Sequence, residues 1–177
     1  LDDQDRIDDA EYNLRLAIAN VRYSSSAVTA NTDAEVETRT DEGNDSYFAI
    51  VPANLAIGNL YDYLNVTPSG DVSNLTHQLV TIDATFAGTG TVVTYYGTVG
   101  SITLPVASYT VIVRGDITGD SAIDAADAMI ADLALNEHTE IEDTASFKAA
   151  LADSADEAAG SITINSVNAI LNAAVGG

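Results

Sequence analysis

The chain has 177 residues, 27 acidic and 6 basic, a formal charge of -21 at pH 7 and no cysteine. That balance excludes nucleic acid and anionic membrane surfaces as partners, and the missing cysteine excludes disulfides and thiolate metal sites. It suits a divalent cation, a saline medium or an extracellular setting, and no apolar run approaches the ~20 residues of a membrane-spanning helix.

The charge falls into thirds. Residues 1–45 hold 12 acids and four arginines; residues 46–113 hold only Asp62, Asp71 and Asp83; residues 114–177 hold 12 acids, Arg114 and Lys148. These thirds are read as an N-terminal amphipathic helix with an acidic connector (1–45), a small β-domain (46–113) and a helical domain (114–177). The middle third must stay soluble through Thr, Ser and Asn, or be covered by glycan or protein. A chain starting at Leu1 reads as processed or trimmed.

Residues 2–24 predict a helix, with Ile7, Leu14, Ile18 and Val21 on one face, acids at its start, and Glu11 four residues before Arg15. It packs on the chain's own core or serves as an arm toward another subunit. Residues 27–45 are polar, with strand-like alternation at Val36, Thr38 and Thr40. Tyr47 to Val51 predicts a strand stopped by Pro52, and Ile57 to Leu64 a helical turn. The runs Leu79–Phe86, Thr91–Tyr96, Ser101–Leu104 and Tyr109–Arg114 follow, separated by Gly88, Gly90, Gly97 and Gly100. Short β-branched runs with Gly turns predict a small antiparallel sandwich of immunoglobulin-like type. Helices are then predicted at Ala125–Asn136, Asp143–Ala152 and Ser166–Ala174. The fold class is thus α+β, with an N-terminal helix, the sandwich, and a C-terminal all-α domain.

The stretch Gly115 to Asp127 carries the most chemistry. With Asp116 at position 1, oxygen-bearing side chains fall at positions 1, 3, 5, 9 and 12: Asp116, Thr118, Asp120, Asp124 and Asp127. Ala122 at position 7 offers its carbonyl, and Ile123 at position 8 is apolar. Calcium takes six to eight oxygens, and a twelve-residue loop of this spacing wraps them around one point. Ser121 stands where Gly usually makes the turn, and Asp127 where Glu is usual. The bland alternative is a solvated acidic turn before a helix.

Residues 160–167 repeat residues 121–128: Ile162 aligns with Ile123, Gly160 with the loop glycine position, and Ser166 with Asp127. The early ligands do not follow, so this copy is expected to bind calcium weakly or not at all. Asp153, Asp156 and Glu157 are its candidate ligands. Ile123 and Ile162 are expected to pair in a short two-stranded contact.

Two loop–helix units around an intervening helix, opened by Gly115-Asp116-Ile117-Thr118-Gly119-Asp120, resemble the dockerin family over residues 114–177. The upstream part looks like the small β-domains that precede dockerins in bacterial surface proteins. The resemblance implies a calcium-dependent plug that docks to a cohesin or similar β-sandwich. Ala125, Ala126, Ile130, Ala131 and Asp132 occupy places where that family uses polar or basic side chains for recognition, which favours assembly or stability over cohesin docking.

Other constellations are weaker. His77 and His138 lack a zinc pattern, Gly88-Thr89-Gly90 lacks the rest of a dinucleotide motif, no Gly-x-Ser-x-Gly occurs, and the carboxylates sit outside any inferred apolar pocket. Tyr61, Tyr63, Tyr95 and Tyr96 are candidates for a sugar-stacking platform. Asn44, Asn65 and Asn74 head N-glycosylation sequons. The sequence therefore predicts a non-catalytic, secreted or cell-surface structural protein. Its calcium-bound module would rigidify the chain and mediate assembly, through a homo-oligomer or polymer or a cohesin-like partner. The alternatives are a cellulosome-type docking module and a carbohydrate-binding module.

Overall fold

Phe48, Ala49, Ile50 and Val51 are all buried, as are Val111, Ile112 and Val113. Consecutive apolar residues buried on both faces mark the centre of a sheet. The computed structural model describes residues 12–13, 35–39, 46–67, 72–81, 85–99 and 101–176. In it, β1 (Glu35–Arg39), β2 (Ser46–Ile50), β3 (Ser73–Val80), β4 (Val92–Val99) and β5 (Ile102–Ile112) form one five-stranded sheet ordered β1-β2-β5-β4-β3. β2 runs parallel to β5, and the other neighbours are antiparallel.

The immunoglobulin-like antiparallel sandwich is therefore wrong. The chain is α+β, but with a single mixed sheet, and no second sheet packs on it among the described residues. Helices take that place. On one face a 3-10 turn (Ile57–Asn59) leads into α1 (Leu60–Leu64), whose Leu60 and Leu64 are fully buried against Ala49, Val93, Tyr109 and Val111. Tyr109 stacks on Tyr47 at 5.4 Å and meets Tyr95 edge-on at 5.8 Å, so aromatic pairs bind β2, β5 and β4 together. Truncating a fully buried leucine such as Leu60 costs about 2–5 kcal/mol.

The predicted break between Ser101–Leu104 and Tyr109–Arg114 does not occur. β5 runs through Pro105, and the register with β4 shifts between Tyr95, paired with Ala107, and Tyr96, paired with Pro105. A bulge there lets the ladder accommodate a residue with no N–H to donate. β3 also lies earlier than the predicted Leu79–Phe86 run, and Phe86 lies outside it, in an isolated bridge to Ala56.

The C-terminal helices are α2 (Ala125–Leu135), α3 (Thr144–Ala150), α4 (Ser154–Ala159) and α5 (Ile164–Gly176). They do not form a separate all-α domain. α3 lays Ala145 and Ala149 on Phe48, Ile50 and Ile112, the second face of the sheet. Ala150 of α3 also belongs to the core that Ile117, Ala128, Ala131, Val167 and Ile170 make between α2 and α5. Sheet and helices thus share α3. The predicted N-terminal helix lies outside the described residues except for Tyr12 and Asn13, which are helical.

Candidate metal centre

The loop that joins sheet to helices begins as β5 ends. Gly115 has a positive φ of 97°, and Ile123 packs against its α-carbon, where a Cβ would sit 3.2 Å from the Ile123 side chain. The Gly115 N–H donates to the Ala149 carbonyl of α3 at 2.8 Å. Asp116 then turns inward and is fully buried, 0% exposed. Its Oδ2 accepts the Thr89 N–H at 2.9 Å and the Ser121 N–H at 3.2 Å, and its Oδ1 accepts the Gly119 N–H at 2.8 Å.

Asp127, also 0% exposed, closes the other end. Its Oδ1 accepts the Ile117 and Thr118 N–H groups at 2.8 and 2.9 Å, and its Oδ2 the Asp124 N–H at 2.9 Å. Asp124 in turn caps α2, accepting the Ala126 N–H at 2.6 Å. Asp124 and Asp127 together make a capping box, so the helix start accounts for both residue types without a metal. It does not account for Asp116. Burial raises the Asp116 pKa, the Thr89 and Gly119 N–H groups hold it down, and the negative Asp127 raises it further. Neither carboxylate has a basic partner among the described residues; Arg114 beside them pairs with Glu35 at 3.1 Å and Glu157 at 2.8 Å.

The six predicted ligand positions therefore separate into two groups. Asp116 and Asp127 are brought together inside. Thr118, Asp120, Ala122 and Asp124 are exposed, and Asp120 accepts the Ala122 N–H at 3.0 Å. All six offer oxygen, the donor chemistry of calcium. No three carboxylates converge, and among the described residues no group of three or more His, Cys, Asp or Glu is arranged to hold a metal. Ser121, where glycine is usual, has φ 73° and adopts the left-handed turn nonetheless; its hydroxyl donates to the Phe86 carbonyl at 3.2 Å.

Two residues that the sequence reading left without a role, Gly88 and Thr89, hold this loop in place. A Cβ at Gly88 would lie 2.6 Å from the Ser121 hydroxyl and 2.7 Å from the Gly119 carbonyl, so only glycine permits the approach. The Thr89 hydroxyl accepts the Val113 N–H at 3.0 Å and donates to the Val113 carbonyl at 3.3 Å, replacing a strand partner at the end of β5. The one signal available was the Gly-Thr-Gly turn itself.

The second copy repeats the closing half of the first. Gly160 has φ 67° where Ser121 has 73°. Thr163 accepts the Asn165 N–H at 3.1 Å as Asp124 does that of Ala126. Ile162 and Ile123 pack on the same helical core, though no strand bridge joins them among the described residues. The opening halves differ. Residues 154–159 form helix α4 instead of a loop, and the three candidate ligands go separate ways. Asp153 caps α4 through the Ala155 N–H at 2.9 Å, and Glu157 holds Arg114. Asp156 is buried and takes the Thr163 N–H and hydroxyl at 2.9 and 2.8 Å and the Ser166 N–H at 3.1 Å. Burial alone would raise its pKa, but the hydrogen bonds from Thr163 and Ser166 hold it below the ordinary value.

The tyrosines do not form a platform. Tyr95 is buried with no hydrogen-bond partner for its hydroxyl, and burial, with Tyr61 nearby, pushes its pKa up to about 12. Tyr61 stacks on His77 at 3.5 Å, Tyr63 is partly buried against the same core, and the Tyr96 hydroxyl donates to Gln78 at 3.1 Å. His138 follows α2, exposed. Of the sequon asparagines, Asn65 (φ 42°) is exposed at the C-terminal cap of α1, Asn74 (φ 51°) is exposed at the irregular start of β3, and Asn44 lies outside the described residues. No protein-family model matches the chain, and no curated protein or solved structure is significantly similar to it.

Proposed function

We propose that the chain is a non-catalytic structural protein of the cell exterior, in which a calcium-bound loop fixes the join between sheet and helices and the fixed unit assembles with others. One observation carries this reading. Asp116 and Asp127 are two buried carboxylates with no basic partner among the described residues, close enough that one raises the pKa of the other. Like charges held together out of water repel each other. A divalent cation turns that repulsion into attraction.

Asp116, Thr118, Asp120, the Ala122 carbonyl, Asp124 and Asp127 would hold it, with Asp120 exchanging the Ala122 N–H for the ion. Calcium there supplies charge and rigidity, not catalysis. Because Asp116 also accepts from Thr89 and the loop's Gly115 donates to α3, the same ion would stiffen three elements at once. The dockerin resemblance of residues 114–177 agrees with this use of the loop, and the high acid content agrees with an extracellular setting. Glycans on Asn65 and Asn74 would cover part of the uncharged middle third.

A second reading, a docking helix for a cohesin-like β-sandwich, is favoured by α5. That helix has no charged residue, yet Ile164, Leu171 and Val175 on it are exposed. Sedimentation and electron microscopy in millimolar calcium and in chelator test the leading proposal. It expects larger ordered particles with calcium. A chain that is monomeric in both and melts at one temperature overturns it.

A further inference from the structure

The two edges of the sheet are built differently. β1 carries Glu35, Glu37 and Arg39 within five residues. β3, at the opposite edge, has eight residues and no Asp, Glu, Lys, Arg or Pro. Open strand edges are ordinarily guarded against pairing by charge, proline or bulges. β3 has one such guard, at its start: Asn74 takes φ 51°, and the register with β4 slips between Ser73 and Thr76. From Thr76 to Val80 the pairing is regular, and Thr76, His77, Gln78 and Val80 are exposed, Val80 at 64%. Behind this edge the neutral region continues, because residues 72–113 contain a single charge, Asp83.

We propose that the edge of β3 pairs antiparallel with β3 of a second copy of this chain across a two-fold axis, joining the two sheets into one. A chain of charge -21 repels its own copy on most approaches. Among the described residues, β3 is the sheet edge whose own strand carries no charged side chain, and attraction there comes from main-chain hydrogen bonds. Self-pairing of β1 would instead bring glutamates of both copies together. A basic partner would find no counter-charge on β3, so the edge fits a second copy better than a cationic protein. A two-fold pairing is self-complementary and closes after two copies. The inference gives the assembly reading an interface and rests on that reading for its biological sense, but it draws nothing from the calcium loop.

The absence of cysteine makes an introduced thiol a clean probe. Thr76→Cys, Gln78→Cys and Val80→Cys, singly and in pairs, are compared under mild oxidation with Glu35→Cys on the other edge. At least one β3 position or pair should form covalent dimer at least tenfold faster than Glu35→Cys, in calcium and in chelator alike. Gln78→Glu keeps the acceptor for the Tyr96 hydroxyl but places two carboxylates at the seam. It should weaken the dimer at least tenfold by sedimentation equilibrium. β3 thiols that cross-link no faster than the control, cross-links chiefly between β3 and β1 thiols, or an unchanged dissociation constant for Gln78→Glu would each overturn the proposal. Cross-linking that persists when the loop binds no calcium leaves this interface standing while the calcium reading falls.

Discussion

Where the first loop enters its helix, Asp127 accepts three backbone N–H groups; at the matching place in the second copy, Ser166 offers one hydroxyl, to the Asp153 N–H at 3.2 Å. Both copies must satisfy the orphan donors of a tight turn feeding a helix. The second copy does so with one carboxylate, Asp156, set among neutral donors that hold its pKa down. The first uses two carboxylates whose charges oppose each other, and burial lifts the pKa of Asp116. One loop is electrically complete without an ion, and the other carries surplus negative charge in its interior. The two loops share a left-handed closing turn, at Ser121 and Gly160, and differ in the opening half, which in the proposed reading decides whether a cation has a role.

The largest effect expected from that contrast is on the two closing residues. In calcium-free buffer, Asp127→Ala should cost about 2–4 kcal/mol by urea denaturation, because three donors lose their acceptor. Ser166→Ala should cost only about 1 kcal/mol. Equal costs would mean that the two ends do the same work.

Calcium comes next. Extracellular modules bind at about 10⁻⁴ M or weaker. At about a hundredfold excess over the dissociation constant, the native state gains about 2.7 kcal/mol, a rise of roughly 5–10 °C in melting temperature for a chain of this size. Asp120→Ala should abolish that rise. Asp156→Ala should destabilise the fold yet leave the calcium increment in place, and a lost increment would place the ion in the second copy.

The pH responses should have opposite signs. Asp116, with its folded pKa raised, contributes stability below its unfolded pKa that is lost as pH rises through the folded value. Asp156, with its folded pKa depressed, contributes stability above its unfolded pKa that is lost as pH falls through the folded value. Carboxylate NMR titration of the calcium-free protein should find Asp116 above the ordinary carboxylate range and Asp156 below it. Of these two, calcium should pull down Asp116 and leave Asp156 unchanged. The smallest effect belongs to Arg114, which links β1 to α4 but has a side chain 33% exposed. Arg114→Met should cost about 1 kcal/mol or less, shrinking further in high salt.

Local chemistry made some of this legible in the sequence. Ligand-type residues at Asp116 and Asp127, the helix that Asp124 caps, and the repeat of Ile123 in Ile162 follow from spacing and capping over short range. The architecture did not, because it depends on distant pairing. Ser101–Leu104 and Tyr109–Arg114 read as separate runs, but one strand passes through Pro105, where a bulge opposite Tyr96 absorbs the missing N–H. The parallel partnership of Ser46–Ile50 with Ser108–Ile112 leaves no local mark. Residues 154–159 looked like a worn calcium loop, yet Ser-Ala-Asp-Glu-Ala-Ala behind the Asp153 cap is a good helix former. Thr89 reaches Asp116 across 27 residues, so nothing near either residue announces the contact.

The proposed ion belongs to one of the two related loops, so calcium-binding stoichiometry by isothermal titration is decisive. One calcium per chain should bind, lost in Asp120→Ala and retained in Asp156→Ala. No binding at millimolar calcium, or two ions per chain, would contradict the proposal.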